Sequence, residues 1–546
     1  MRHLFRHFAS LRFSPLLLLC ALVWGAPQFA AAADKAKAAQ ESDLFDSTNI
    51  VQISIAIPEN GMRALRGTGW GGNNGGNRPE AKATVSDGIR TYKDVAIHLK
   101  GAAGSFRPVD DRPGLTLNFD KHVKGQTFHG LEKFSLNNSV QDPSYLAEKI
   151  GRETYRKAGV PVPRTDYAVV TLNGRNLGLY VLAEGYNKQF LAQHFKNPKG
   201  NLYDGGFCQD ITGNLSLNDA DNPKVDQSDL RKLIAVTSEA RQNNKFEDLA
   251  AVLDVERFVT MTALDVLLCH WDGYALNRNN YRIYGDPDSK KMVFMPHGMD
   301  QLFGQGRGMP DTAINPHMNG MVARAVLGTK EGRMMYRTKL GQLRTNVFNP
   351  EQLKQRAREL EMRIQQALPA NRKSRHKSAV NQFCQMIDFR AEDLERQFST
   401  PPAELQFNSQ GFANITDWKP RNAVSSSRYS PVEAPDGRKY LHIGGDGASS
   451  SASWRTRVML PTGQYKLEGL VRTKGVGETG AGVVLRISGA RDVQPVSADD
   501  KWRKITYDFA VEEAVADVEV VAELRPAFGE VWFDVSSMKI VQLSNK

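Results

Sequence analysis

The stretch from His270 to Gly304, HWDGYALNRNNYRIYGDPDSKKMVFMPHGMDQLFG, limits what this chain can fold into more than any other. It opens with an acid, Asp272, and carries an asparagine at 277 and another at 280. Two runs then alternate as strands do, Tyr281–Tyr284 and Met292–Pro296, joined by the turn Gly285-Asp286-Pro287-Asp288. Asp300 arrives just past the second run and Gly304 follows. The pattern predicts that Asp272 and Asp300 converge on one pocket. Carboxylate and amide oxygens are the hard ligands that Mg²⁺ prefers, and one or two carboxylates leave room for water and phosphate oxygens.

Asp272 and Asn277 also have the spacing of the loop in which protein kinases pass a hydroxyl proton to an Asp and hold a metal ion with an Asn. Asn277 has that spacing, whereas Asn280 directly precedes a strand, so both stand as ligand candidates. Asp300 is placed for the cation that bridges nucleotide phosphates. The competing reading is that Asp272 and its asparagines only cap turns.

At 546 residues the chain predicts two to four domains. It carries a net charge of +11, but the excess is spread along the sequence, so no nucleic-acid partner is inferred. Residues 1–33 read as a signal peptide. A basic start leads into apolar Leu16–Val23, which is too short to span a bilayer, and small residues Ala30–Ala33 precede Asp34. Residues 34–46 read as a flexible leader. Export to the cell envelope or beyond is expected, with no transmembrane segment. Beyond the leader, Cys208, Cys269 and Cys384 show no zinc spacing; Cys208 and Cys384 are free to pair with each other, and Cys269 reads as buried packing.

Several segments can be placed before the central block. Gly67, Gly69 and Gly72 form a GxGxxG, but no strand precedes them, so a flexible loop is expected. In the strand Val95–Lys100, alternation separates Val95, Ile97 and Leu99 from His98 and Lys100. Gly101 and Gly104 follow at once, so Lys100 either meets phosphates or ends the strand in solvent. Asp142-Pro143-Ser144 starts a helix through Ala158 that carries Glu148, either the partner of a phosphate-binding lysine or a surface acid. Tyr167–Leu172 and Gly178–Ala183 form a hairpin about Asn173-Gly174 and run into Glu184–Lys188, which reads as a hinge.

Asp219–Asn222 lacks the glycine and the final acid of a calcium loop and is discarded. Asp254 caps an apolar helix that delivers the chain to His270. Residues 318–340 and 350–398 are helical, and the basic run NRKSRHKS reads as a solvated linker within the second. Residues 399–404 are a linker, and 405–546 alternate in short β runs at the spacing of a sandwich. Trp454, Tyr465, Trp502 and Trp532 are available there either for a glycan-binding face or for the core.

With these pieces placed, residues 48–400 resemble the CotH family, spore-coat-protein-H-like secreted kinases. The resemblance rests on HLKGAAGSF (98–106), LTLNFDK (115–121), LNNSVQDPSYLAEKI (136–150), AGVPVPRTDYAVVTLNGRNLGLYVLAEGYNK (158–188), HWDGYALNRNNYRIY and MPHGMDQLFG. It implies an α+β chain: a divergent protein-kinase-like domain over 47–398, followed by an all-β sandwich that looks like a jelly roll. It also implies ATP, with Mg²⁺ or Mn²⁺, and phosphorylation of secreted or envelope proteins on Ser or Thr.

Asp272 and Asp300 match the family's substrate-side and metal-side acids. Many relatives read Pro-Trp-Asp-x-Asp where this chain has Pro296-His297-Gly298-Met299-Asp300, so one carboxylate is absent. Relatives often carry lysines where Thr116 and Asn118 stand, which leaves Lys100 and Arg112 as candidate substitutes. Lys100, Glu148, Glu184 and Arg112 are thus the expected ATP-side residues. The alternative is a kinase-shaped envelope protein without activity, held on polysaccharide by its sandwich.

Overall fold

The computed structural model describes residues 44–45, 47–69, 78–217, 226–243, 245–305, 310–399, 404–421, 428–435, 437–448, 452–476, 482–488, 490, 493, 495–496, 500–525 and 527–543. The signal-like segment, most of the leader, the glycine run from residue 70, the segment at 219–222 and most of the linker lie outside these residues.

The chain is α+β. Its first part is β1 (Val51–Ala56), α1 (Glu59–Arg66), β2 (Glu80–Ser86), β3 (Thr91–Lys100), β4 (Gly114–Asn118), β5 (Lys133–Asn137), α2 (Ala147–Lys157), β6 (Thr165–Leu172) and β7 (Arg175–Glu184). The strands close into a barrel in the order β1-β2-β3-β4-β5-β7-β6. Every neighbour pair is antiparallel except β1 with β6, which run parallel with Val51 opposite Ala168. Strand alternation fills the interior with Ile53, Ile55, Val95, Ile97, Leu99 and Phe134, all buried. Burying one such side chain contributes about 1.5–3 kcal/mol. Val95, Ile97 and Leu99 thus face inward as their spacing predicts. Asn173 and Gly174 both have positive φ, 46° and 77°, as a two-residue hairpin turn requires.

The second part is α3 (Lys188–His194), β8 (Leu202–Asp204), β9 (Ser216–Leu217), α4 (Ser228–Asn243), α5 (Phe246–Val252), α6 (Val255–Leu267), α7 (Tyr274–Asn277), β10 (Tyr281–Gly285), β11 (Met292–Pro296), α8 (Met321–Gly328), α9 (Lys330–Asn346), α10 (Pro350–Ala367) and α11 (Ala370–Ser399). A small sheet, β11-β10-β8-β9, carries the central strand pair. Every residue of α6 except Glu256 and Arg257 is buried, and Asp254 caps it by accepting from Arg257 N at 3.1 Å.

Three helix expectations shift. The helix expected from Asp142 begins at Ala147. Asp142 instead bridges a turn, accepting from Ser144 N (3.0 Å) and Ala147 N (2.9 Å), so its capping reaches five residues on. The 318–340 segment breaks at Thr329, whose hydroxyl starts a new helix by accepting from Gly332 N at 3.0 Å. The 350–398 segment breaks at Leu368, which is extended before Pro369 because proline disfavours helical backbone in the residue ahead of it.

Residues beyond the linker form β12 (Phe412–Asn414), β13 (Lys419–Arg421), β14 (Arg428–Glu433), β15 (Lys439–Ala448), β16 (Ala452–Lys474), β17 (Gly482–Ile487), β18 (Arg503–Arg525), β19 (Ala527–Asp534) and β20 (Lys539–Leu543). β16 and β18 pair along their length, with a register shift between Pro461 and Gly463, and enclose one sandwich-like core. This region meets the helical part through both main-chain and side-chain bonds. Asp517 N donates to Asn315 O (2.7 Å), His317 N to Asp517 O (3.3 Å), and Arg457 Nη1 to Asp311 O (2.6 Å).

Candidate active site

α6 is capped at its C-terminus by Leu268, and the chain turns through Cys269 (φ 52°) into the His270 loop. His270 is buried and uses both ring nitrogens, Nδ1 to Asp265 Oδ1 (3.1 Å) and Nε2 to Gly298 O (2.8 Å). Burial opposes its protonation, but the bond and charge of Asp265, with Asp272 and the Gly298 carbonyl, outweigh burial and raise its pKa. Tyr155 OH of α2 donates to the same Asp265 oxygen at 2.5 Å. One buried acid thus ties the helix, the Asp272 loop and the Asp300 loop together.

Three asparagine amides grip Asp272. Asn277 Nδ2 donates to Oδ1, Asn279 Nδ2 to Oδ2 at 3.1 Å, and Asn280 Nδ2 to Oδ2 at 2.8 Å. Asn280 sits at φ 48°, and its main-chain oxygen accepts from His297 N at 2.8 Å. Its side-chain oxygen accepts no hydrogen bond among the described residues. A Cβ at Gly298 would stand 2.6 Å from that oxygen, so the amide occupies the space that a side chain at 298 would need. Gly151 of α2 permits the other close approach: a Cβ there would meet Leu302 at 2.5 Å and Met299 at 3.1 Å. That gap lets the Asp300 loop lie directly on α2.

Asp300 is half-buried, and its carboxylate accepts from no group among the described residues except its own amide. Burial first, then the charges of Glu148 and Asp272, push its pKa up to about 7. Glu148 is buried on α2, with Arg152 Nη2 donating to Oε1 at 2.7 Å and Asn137 Nδ2 to Oε2 at 2.6 Å. Asn137 Oδ1 accepts from Lys100 Nζ at 2.5 Å. Burial lowers the Lys100 pKa to about 8, with Glu148 and Asp300 favouring its charge and Arg152 and Arg282 opposing it. Arg152 also donates to His297 O at 3.2 Å. The His297 ring lies against Tyr186, and burial with Arg282, Lys100 and Arg152 nearby keeps it neutral.

The structure therefore gathers Lys100, Glu148, Asp272, Asn277, Asn280 and Asp300 into one cluster. Two other expected ATP-side residues have their side chains engaged elsewhere. The Glu184 carboxylate is saturated by Arg164 (2.8 and 3.1 Å) and Gln193 (2.7 Å). Arg112 stacks on Tyr180 and Tyr145, 5.1 and 5.7 Å from their ring centres, and donates to Tyr145 OH and Leu179 O. Between the two basic candidates, Lys100 is the one at the cluster. Sequence reasoning missed Asn137, Asn279, Arg152 and Arg282. The Glu148–Arg152 spacing of four was a readable signal for Arg152; Asn137 joins only through tertiary contact. A cavity of about 310 Å³ bounded by Gly159, Asp254, Arg257 and Lys339 contains none of these groups.

Among the described residues no three His, Cys, Asp or Glu side chains are grouped to hold a metal ion on their own. The donor set fits a different arrangement. Asp300, unpartnered, and the Asn280 side-chain oxygen supply two hard ligands, which suits a cation that keeps water and phosphate oxygens. Cys208 borders the cluster, its amide donating to Asn279 Oδ1 at 3.2 Å. Cys208, Cys269 and Cys384 are all thiols, so the Cys208–Cys384 pairing is not made.

In the sandwich, Trp454 and Tyr465 are buried in the core. Trp502 stacks on Tyr440, Trp532 stacks on His442, and Arg472 lies over both indoles at 5.5 and 4.6 Å. Each outer tryptophan thus has one stacked ring and shares Arg472 with the other, and Trp502 stays 37% exposed.

Residues 97–394 match the family described as CotH kinase protein, which is more than half of the chain. The chain belongs to the CotH family. Among its curated relatives, Invasin CotH2 of Rhizopus delemar is 21% identical over 244 residues, 41% of this chain and 40% of that protein. Inner spore coat protein H of Bacillus subtilis is 22% identical over 243 residues, 41% of this chain and 66% of that one. This CotH-family chain thus spans less than two thirds of either relative. Among solved structures, the CBM22-1 xylan-binding domain of Paenibacillus barcinonensis Xyn10C is 16% identical, covering 26% of this chain and 91% of that one, with a TM-score of 0.18. A CBM4 structure is also 16% identical, covering 25% and 100%, with a TM-score of 0.20. Scores this low assign neither fold nor ligand.

Proposed function

We propose that this CotH-family chain is an exported Ser/Thr protein kinase that moves the γ-phosphoryl group of ATP to hydroxyls of secreted or envelope proteins. Asp300 carries the reading: a half-buried acid that takes no donor from any other described residue, set in the fields of Glu148, Asp272 and Lys100. An acid so placed is costly to ionise unless a cation joins it. The arrangement fits a divergent protein-kinase-like domain, with Lys100 supplied by the barrel, Glu148 by α2, and Asp272 and Asp300 by the loops flanking β10 and β11.

Asp272 orients the acceptor hydroxyl and takes its proton as the oxygen bonds to phosphorus. The bond from phosphorus to the bridging oxygen breaks, and that oxygen leaves with ADP. The three asparagine amides keep the Asp272 carboxylate in one pose, which serves positioning more than basicity. Lys100 steadies phosphate charge. Mg²⁺ or Mn²⁺, held by the Asp300 and Asn280 side-chain oxygens, would supply neutralisation of the triphosphate. Glu184 and Arg112 act as scaffold. Export rests on the signal-like start of the chain and on relatives named for a spore coat and as an invasin. No described helix is long and apolar enough to cross a membrane.

The test is incubation of the full chain with labelled ATP and Mn²⁺ in the presence of an envelope protein fraction. Labelling that persists in both Asp272→Ala and Asp300→Ala sinks the reading. The alternative, an inactive relative held on polysaccharide, is favoured only by Gly298 in place of an acid. Thermal unfolding with ATP, with and without Mn²⁺, separates the two: a metal-dependent rise supports the kinase.

A further inference from the structure

Lys100 and Glu148 do not touch. The Asn137 side chain stands between them, accepting from Lys100 Nζ at 2.5 Å and donating to Glu148 Oε2 at 2.6 Å. An ammonium can only donate and an ionised carboxylate can only accept, so the amide has a single workable orientation. Its main chain is equally fixed. Asn137 ends β5 opposite Val181, and Lys100 ends β3 opposite Gly114, so both side chains leave the barrel at the ends of paired strands. Glu148 is already committed to Arg152 at 2.7 Å, with the two side chains 5% and 2% exposed. With all three ionised, Lys100, Glu148 and Arg152 together carry one net positive charge, and Asp300 is the other acid that acts on Lys100.

We infer that Asn137 is a positioning residue for the phosphate-binding lysine: it fixes the Lys100 ammonium while withholding a direct counter-charge, so that positive charge remains for substrate phosphate. The inference rests on the kinase reading of the site. A direct Lys–Glu pair would hold the amine as firmly but spend its charge internally, at the short range where such pairing is strongest. The amide relay separates the two tasks. The charged groups facing Lys100 are Glu148, Arg152, Arg282 and Asp300; of these only Glu148 bonds to residue 137, and it keeps its Arg152 partner when that bond is lost.

The test uses the full chain and two readouts. The first needs no nucleotide: acylation of Lys100 by an amine reagent, followed by mass spectrometry across pH. Asn137→Asp sets a carboxylate against the ammonium, and the reactivity midpoint is expected to rise by about 1 to 3 pH units. Asn137→Ser shortens the relay, and the midpoint is expected to fall; it replaces the Asp variant should that one lose cooperative unfolding. The second readout is ATP affinity, expected to weaken about tenfold in both variants. KM should absorb most of the change and kcat little, as befits loss of a binding geometry. Reactivity curves that superimpose on wild type overturn the relay. Wild-type protein that binds no ATP overturns the kinase reading instead, while the acylation curves still decide on Asn137.

Discussion

Asp300, half-buried, and Glu523, buried, are both acids with shifted pKa values, and their surroundings are opposite. In the sandwich, Arg486 donates to Glu523 from Nε (3.1 Å) and Nη2 (2.9 Å), and Arg525 adds a third bond at 2.6 Å. Burial pushes the Glu523 pKa up, but the two arginines outweigh it and the acid ends below its ordinary value. Around Asp300, burial is reinforced by Glu148 and Asp272, and the pKa climbs to about 7. One acid is closed by its neighbours; the other is left open. Buried charge that is internally balanced serves the fold, and buried charge that is not balanced marks where a ligand completes the structure.

The sharpest way to break this contrast is catalytic. Asp300→Ala and Asp272→Ala are each expected to lower phosphoryl transfer by roughly 10² to 10³ or more, as removing a transition-state contact does. The Asp300→Ala chain should melt no earlier than wild type, since it loses an unpaired acid. A matching early melt in Asp300→Ala would erase the distinction drawn above.

Glu523→Ala should do the reverse. It strands Arg486 in the sandwich and is expected to cost about 3–5 kcal/mol in unfolding free energy, while transfer by the surviving folded protein stays near wild type. Denaturant unfolding followed by tryptophan fluorescence measures the first, and the labelling assay the second.

The pH dependences should also oppose one another. Asp300 has a raised folded pKa, so its contribution favours folding fully at low pH and fades as pH rises through about 7. Glu523 has a depressed pKa, so its contribution is present above the ordinary glutamate value and fades as pH falls through the folded value. Melting curves of Asp300→Asn and Glu523→Gln against wild type should diverge at opposite ends of the pH range. Binding of Mn²⁺ needs Asp300 ionised, so its affinity should rise with pH across neutrality and flatten in Asp300→Asn.

The smallest effect concerns the thiols. Cys208, only partly buried beside Asn279, should react with a thiol reagent in the native chain, and Cys269 and Cys384 should not until it unfolds. Reaction of Cys384 at the native rate of Cys208 would show that the helical core is looser than its packing implies.

Much of the site was legible because its spacing is local. Asp272, Asn277 and Asn280 share one loop, and the two strands bringing Asp300 back are joined by a turn whose residues allow little else. Glu148 was readable as a helix residue but not as a buried one, since its partner Asn137 comes from a strand distant in space until the chain folds. For Glu184 and Arg112 the sequence could not show which partners their side chains had already taken. Arg164 and Gln193 claim the first, and Tyr145 and Tyr180 the second.

The sequence by itself determined the alternating faces of the barrel strands, the Asn173-Gly174 hairpin, the α6 cap at Asp254, and the two acids that flank one strand pair. These follow from side-chain period and backbone preference over a few residues. Only the tertiary structure decided that the strands close into a barrel through β1 and β6, that Lys100 rather than Arg112 reaches the cluster, and that Asn137 stands between Lys100 and Glu148. Those outcomes depend on contacts between residues far apart in the chain, where the electrostatic cost of each charge is set by whichever groups the fold has brought beside it.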